Sequence, residues 1–146
     1  MDKPADLERV RANTAAEINW RIDRQIEDNV HRYATRPKEE ISRRIWDLEQ
    51  EWDIERVLEL MASSISVTGI FLSVVRDRRW ILLPGIVLSF LFMHAVQGWC
   101  PPVPVLRRLG VRTREEIGRE RYALKVLIGD FPSVSGADAA IAAATH

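Results

Sequence analysis

Two apolar runs, 57–75 and 80–99, stand back to back around the charged tetrapeptide Arg76-Asp77-Arg78-Arg79. Leu60 to Val75 is 16 residues without a charged side chain, and no Asp, Glu, Lys or Arg occurs from Trp80 as far as Leu106. At about 1.5 Å per residue, either run approaches the roughly 30 Å hydrocarbon thickness of a bilayer. Two such helices joined by so short a turn form either a membrane hairpin or a pair of buried helices in a soluble bundle. Core helices are seldom this long without charge, so the pattern predicts a hairpin in a lipid bilayer.

The ends of the runs fit that reading. Trp80 and Trp99 are 19 residues apart, about 28 Å along a helix, and suit opposite membrane interfaces as aromatic anchors. Pro84 falls near the start of the second helix, where a missing N–H costs little, and Pro101-Pro102 should stop it. Ala62, Ser66, Gly69 and Ser73 form a small-residue stripe on the first helix, with Gly85 and Ser89 as the matching pair on the second. Close packing drives helix association in lipid, so these six residues are the expected contact. Arg36, Lys38, Arg43, Arg44 and Arg56 precede the hairpin, and Arg107, Arg108, Arg112, Arg114 and Arg119 follow it, against three arginines in the turn. The excess predicts both termini on the cytoplasmic side.

Bulk composition hides this segregation. Charged residues make up 29% and mean hydropathy is −0.14, yet 57–100 holds only three Arg and two acids. With 21 basic against 21 acidic residues, the chain lacks the basic excess that phosphate neutralisation requires, so nucleic acid is not an expected partner. Cys100, the single cysteine, excludes an internal disulfide and a Cys-based metal motif. With the first apolar run more than 50 residues in and no leader read ahead of it, the first hairpin helix is expected to serve as its own insertion signal.

The flanks read as helical, making the expected fold all-α: a transmembrane hairpin with cytoplasmic amphipathic helices at both ends. In the N-terminal region, 1–56, residues Leu7, Val10, Thr14, Ile18, Ile22, Ile26, Val30 and Tyr33 recur at helical spacing and predict one helix over 1–36. Pro37 opens a second, with Ile41, Ile45, Leu48 and Trp52 on one face, that can run unbroken into the membrane. In 101–131, Thr113-Arg114-Glu115-Glu116 has capping-box spacing and Gly129 is a natural stop. The basic amphipathic helix between them suits either an anionic leaflet or the N-terminal helices. The Ser/Gly/Ala-rich tail, 132–146, is expected to be disordered.

Gly98-Trp99-Cys100-Pro101, closing the hairpin, and the following Val105-Leu106-Arg107-Arg108-Leu109-Gly110-Val111 resemble the YgaP-like inner membrane protein transmembrane-domain family over about residues 57–112. That resemblance implies a bacterial inner membrane location and self-association. Some members of the family carry a rhodanese domain, which holds sulfur as a persulfide; this chain has no second cysteine and no rhodanese-like α/β pattern.

Three residues raise chemical alternatives. Cys100 is a candidate reactive thiol: nearby Arg107 and Arg108 favour the thiolate, while a helix C-terminus opposes it. Its structural reading is a helix-stopping turn; its chemical reading is sulfur transfer with a rhodanese-type partner. His94, an ionisable group in a membrane segment, is a candidate ligand for haem, a chlorophyll-type pigment or copper, or else a neutral hydrogen-bonding group. Glu59 reads as an interfacial carboxylate with Arg56 as partner. No Ser/His/Asp constellation, phosphate loop or ligand cluster is present in the sequence, so neither enzyme activity nor a resident cofactor is expected. The leading expectation is a structural or accessory membrane protein, forming a homo-oligomer or joining a membrane complex.

Overall fold

In a computed structural model of the chain, residues 9–129 are described, and all of their regular structure is helical. The helices are α1 (Arg9–Ala12), α2 (Ala16–Ala34), α3 (Lys38–Gln50), α4 (Ile54–Val75), α5 (Leu82–Gln97), α6 (Val103–Arg108) and α7 (Arg114–Ile128), with a 3-10 turn at Arg78–Ile81. The described residues pack as two compact units that cut across the order of the sequence: one takes in 9–24 and Trp52–Glu116, the other Gln25–Glu51 and 117–129. Leu7 and the tail from Pro132 onward lie outside the described residues.

Two predicted continuities are broken. The helix expected over 1–36 is interrupted between α1 and α2. There Thr14 Oγ1 donates to the Val10 carbonyl (2.7 Å) and Asn19 Nδ2 donates to the Arg11 carbonyl (2.9 Å). Short polar side chains that bond to nearby backbone compete with helix propagation. The second helix does not run on into the apolar segment. It ends at Gln50, and Asp53 starts α4 afresh, its carboxylate accepting from the Arg56 N–H at 2.8 Å. An Asp N-cap satisfies donors that the helix itself cannot, and no Gly or Pro is needed for the break.

The first unit contains the hairpin. Lys38–Val75 and Arg78–Gln97 contain stretches long and apolar enough to cross a membrane, and only 22% and 6% of their apolar windows are buried within the chain. At the tip, Arg76 and Asp77 N–H groups both donate to the Leu72 carbonyl, and the Asp77 carboxylate accepts from the Arg79 N–H at 2.8 Å. Ala62, Ser66 and Gly69 are buried and Ser73 is half-buried. Gly85 and Ser89 lie exposed instead, with open space around the Gly85 Cα. Against Gly69 the second helix presents Leu83 and the buried Pro84. Proline has no N–H to lose at a first helical turn, and its compact ring fits where a glycine has no side chain. At the open end of the hairpin, Val10, Ile54, Leu58, Cys100, Val103 and Leu106 form a small apolar core.

The second unit buries Ile41, Ile45 and Leu48 of α3 against Ile117 and Leu124 of α7, with Tyr33 and Ile128 alongside. Of the two uses foreseen for the apolar face of α7, this is the one occupied. Lys38 Nζ donates to the Ile128 carbonyl (3.2 Å) at the end of α7, where Gly129 takes the left-handed φ of +78°. Glu120, fully buried, accepts from Arg44 Nε (3.0 Å) and Nη2 (2.9 Å).

The two glycines of the hairpin should respond differently to an added methyl. A Cβ on Gly69 would meet Pro84 Cδ at 2.7 Å, whereas one on Gly85 meets nothing within 4 Å. Gly69→Ala should destabilise the detergent-solubilised protein by about 1–3 kcal/mol, and Gly85→Ala should be neutral or stabilising because Ala is the better helix former. Thermal unfolding followed by circular dichroism checks this; equal effects at the two sites would refute the packing.

Candidate functional site

Among the described residues of the first unit one carboxylate is fully buried, that of Glu116 in the first turn of α7. Its position follows from the capping box. Thr113 N–H donates to Glu116 Oε2 (2.9 Å), and Glu116 N–H donates to Thr113 Oγ1 (3.3 Å). That reciprocal pair turns the carboxylate inward, where Arg107, also buried, meets it in a fork: Nη1 to Oε2 at 2.6 Å and Nη2 to Oε1 at 2.7 Å. Arg11 Nη1 adds a contact to Oε1 at 2.5 Å and holds Asp23 as well, at 2.7 Å. A carboxylate offers about four acceptor positions, and here all four are taken. Arg107 further donates to Asn19 Oδ1 (2.9 Å) and to the Val111 carbonyl (3.1 Å).

Burial pushes the Glu116 carboxyl up, but the hydrogen bonds from Arg107 and from the Thr113 N–H, with the Arg107 charge and the Arg11 bond added, hold it below its ordinary value. Asp53, the N-cap of α4, accepts from Arg114 Nε at 3.0 Å, and the Ile54 N–H donates to the Arg112 carbonyl at 3.0 Å. The start of the first apolar helix is thereby tied to the α6–α7 connection.

The end of the second apolar helix is capped by other segments. Gly98, at φ +73°, donates its N–H to the His94 carbonyl (2.7 Å). Arg9 Nη1 donates to the carbonyls of Ala95 (2.8 Å) and Val96 (3.1 Å), and Asn13 Nδ2 to that of Gln97 (2.9 Å). The last four carbonyls of α5 are thus satisfied by the protein itself. A Cβ on Gly98 would collide with the side chain and backbone of Arg9. Glycine is required here for conformation and for closeness together.

The residues singled out in the sequence fall in different places. Cys100 is 3% exposed, among Val10, Ile54, Leu58, Val103 and Leu106. Burial pushes its thiol up, only partly offset by the Val103 N–H, and Arg107 is turned toward Glu116. It also lines an apolar cleft of about 180 Å³ with Leu58, Ala62 and Leu91. Such a thiol is protonated at neutral pH and packs as a small hydrophobe. His94 is half-buried and lines a cavity of about 230 Å³, shared with Arg9, Glu55 and Glu115. Glu59 is exposed. Trp80 is 41% exposed and Trp99 half-buried, near opposite ends of the second apolar run. Among the described residues no group of three or more His, Cys, Asp or Glu is arranged to hold a metal ion.

Sequence reasoning identifies Thr113 and Glu116 as a helix cap but misses that Glu116 anchors an ion network. Arg107 is only nine residues away, which proximity in sequence could have suggested. Arg11 and Asn19 come from the other end of the chain and carry no local signal. Comparison with family models, with curated proteins and with solved structures finds no match to this chain.

Breaking the network from the acidic side should be severe. Glu116→Gln leaves Arg107 buried without its counter-ion, an expected loss of about 3–5 kcal/mol. Because the folded pKa of Glu116 is depressed, its stabilisation is fully present above the unfolded value of about 4.3 and is lost as pH falls through the folded value. Unfolding of the detergent-solubilised protein at a series of acidic pH values should show this loss in the wild type and not in Glu116→Gln. An identical acid response in both would exclude Glu116 as its source.

Proposed function

We propose that this chain is a small integral membrane protein of structural or accessory type. Its α4–α5 hairpin is the anchor, and its remaining helices are held at the cytoplasmic surface for self-association or for attachment to a larger membrane complex. The observation that carries the reading is the bareness of the apolar helices, with 22% and 6% of their windows covered. Core helices of a soluble protein are mostly buried, and an exposed apolar surface of this extent needs lipid or protein to cover it. Exposed Phe71, Val74, Leu82, Ile86 and Phe92 lie on the two helices. Lys and Arg are in excess in the segments that flank the hairpin in sequence, which favours both termini in the cytoplasm of a bacterial cell, at its inner membrane.

Contact with a partner protein is supported by apolar side chains outside the hairpin. Trp20 is 65% exposed and Trp46 61% exposed, and Leu109, just past the end of α6, reaches 75%. Exposed tryptophans are costly on a free surface and are enriched where proteins meet one another or lipid headgroups.

Three measurements test the proposal. Membranes washed with alkaline carbonate should retain the protein; recovery in the soluble fraction without detergent would overturn it. In a Cys100→Ser background, a cysteine introduced at Asp77 should be labelled by an impermeant reagent from the periplasmic face, and one introduced at Glu39 only after permeabilisation. Mass spectrometry of the detergent-purified protein should show either a uniform homo-oligomer or stoichiometric companions. A clean monomer would remove the association part of the reading and leave the anchor.

A further inference from the structure

The tip of the hairpin carries charge that the fold does not use. Its turn is closed by backbone bonds to the Leu72 carbonyl and by the Asp77 carboxylate, which accepts from the Arg79 N–H. Arg76, Asp77, Arg78 and Arg79 are all exposed. Among the described residues, no hydrogen bond or ion pair engages the guanidinium group of Arg76, Arg78 or Arg79. Arginines at the open end are used differently: Arg9 donates to carbonyls of α5, Arg107 to Glu116 and Arg114 to Asp53. Three arginines against one aspartate leave the tetrapeptide at a net charge of +2. On either side of Asp77 the nearest acids in the sequence are Glu59 and Glu115, and both belong to the open end.

The surroundings of that charge identify its counterpart. Val74 and Val75 before it, and Ile81 and Leu82 after it, are exposed apolar side chains, with Trp80 exposed among them. Cations bordered by bare apolar surface and an indole ring fit the boundary between hydrocarbon and headgroups, where the counter-charge is a phosphodiester. We propose that the hairpin tip is a docking surface for anionic phospholipid, held through its phosphate by the three guanidinium groups. A guanidinium presents paired N–H donors that match two phosphate oxygens. The same phosphodiester occurs in phosphatidylglycerol and phosphatidylcholine, but choline brings its own cation and cancels the attraction to a net positive turn. The surface therefore selects lipid by net charge. This inference rests on the membrane reading above.

Native mass spectrometry of the detergent-purified protein, offered phosphatidylglycerol and phosphatidylcholine of matched chains in equal amounts, tests the inference. The anionic lipid should be retained over the zwitterionic one by at least about fivefold, the scale of a single basic side chain at an anionic surface. The triple variant Arg76→Gln/Arg78→Gln/Arg79→Gln should lose that preference. A charge-matched control, Arg21→Gln/Arg43→Gln/Arg108→Gln, removes three exposed arginines outside the hairpin and should keep it. Asp77→Asn retains a side-chain oxygen for the Arg79 N–H, so the turn still closes while the tip becomes more positive. Its preference should exceed that of the wild type. Circular dichroism checks that each variant folds, and should the tip triple not fold, Asp77→Asn still decides. Equal retention of both lipids by the wild type would overturn the proposal. So would equal loss in the two triple variants, which would make the charge of the whole protein the cause. Displacement of the lipid by an equal concentration of glycerol phosphate would mean a site for free phosphate groups, and would overturn it too. Release of the protein from membranes by alkaline carbonate would defeat the membrane reading and this inference together. A retained protein without lipid preference would defeat this inference alone.

Discussion

The fork between Arg107 and Glu116 is the contact on which the first unit depends. Neither side chain is exposed, and taking each ion out of water costs several kcal/mol even after relaxation. That cost is offset by the partners the two ions find: the carboxylate is filled by Arg107, Arg11 and the Thr113 N–H, while Arg107 Nε alone of the fork stays unpaired. The donors come from α1, α6 and the α6–α7 connection, and Asn19 of α2 steadies Arg107 from behind. A well-packed apolar replacement can match such a cluster in stability. It would not reproduce the bidentate geometry, which fixes orientation as well as distance. Segments almost a hundred residues apart thus share one register around a single carboxylate.

A second constraint acts where α5 ends. In hydrocarbon an unpaired carbonyl cannot turn to water, so a spanning helix must have its last carbonyls satisfied by the time it leaves the lipid, or by the protein at that point. Arg9, Asn13 and the Gly98 N–H provide that satisfaction. The guanidinium also opposes the negative end of the helix dipole. The tip of the hairpin is simpler, held by Asp77 and local backbone bonds. One end of the hairpin is therefore built into a folded cap, and the other is a turn that local sequence makes for itself.

This difference explains what could be read from the chain alone. The apolar helices, the turn, the Thr113–Glu116 cap and the stop at Gly129 are set by residues within a few positions of one another, and all were legible. The breaks at Asn13–Ala15 and at Glu51–Asp53 were not, because apolar periodicity passes through both without losing phase. The Arg11 and Arg9 contacts were not legible either, since their partners lie 105 and more than 80 residues away. The small-residue stripe on α4 marks a buried face. Its counterpart on α5 was sought among small residues, whereas the structure uses a proline ring, which needs no donor at that position and is just as compact.

Length completes the physical picture of the anchor. From Leu60 to Val75 and from Leu82 to Gln97 are 16 residues each, about 24 Å of helix and so somewhat less than a hydrocarbon core of about 30 Å. On the proposed placement, the shortfall is met at both ends. At the tip, the long stems of Arg76, Arg78 and Arg79 can lie along lipid while their charges reach the headgroups. At the open end the cap has no such freedom, because Arg9 and Arg107 are committed to carbonyls and to Glu116. On that placement a polar cap cannot sink into hydrocarbon without stripping water from its outer groups, so it would set the depth at which the hairpin sits.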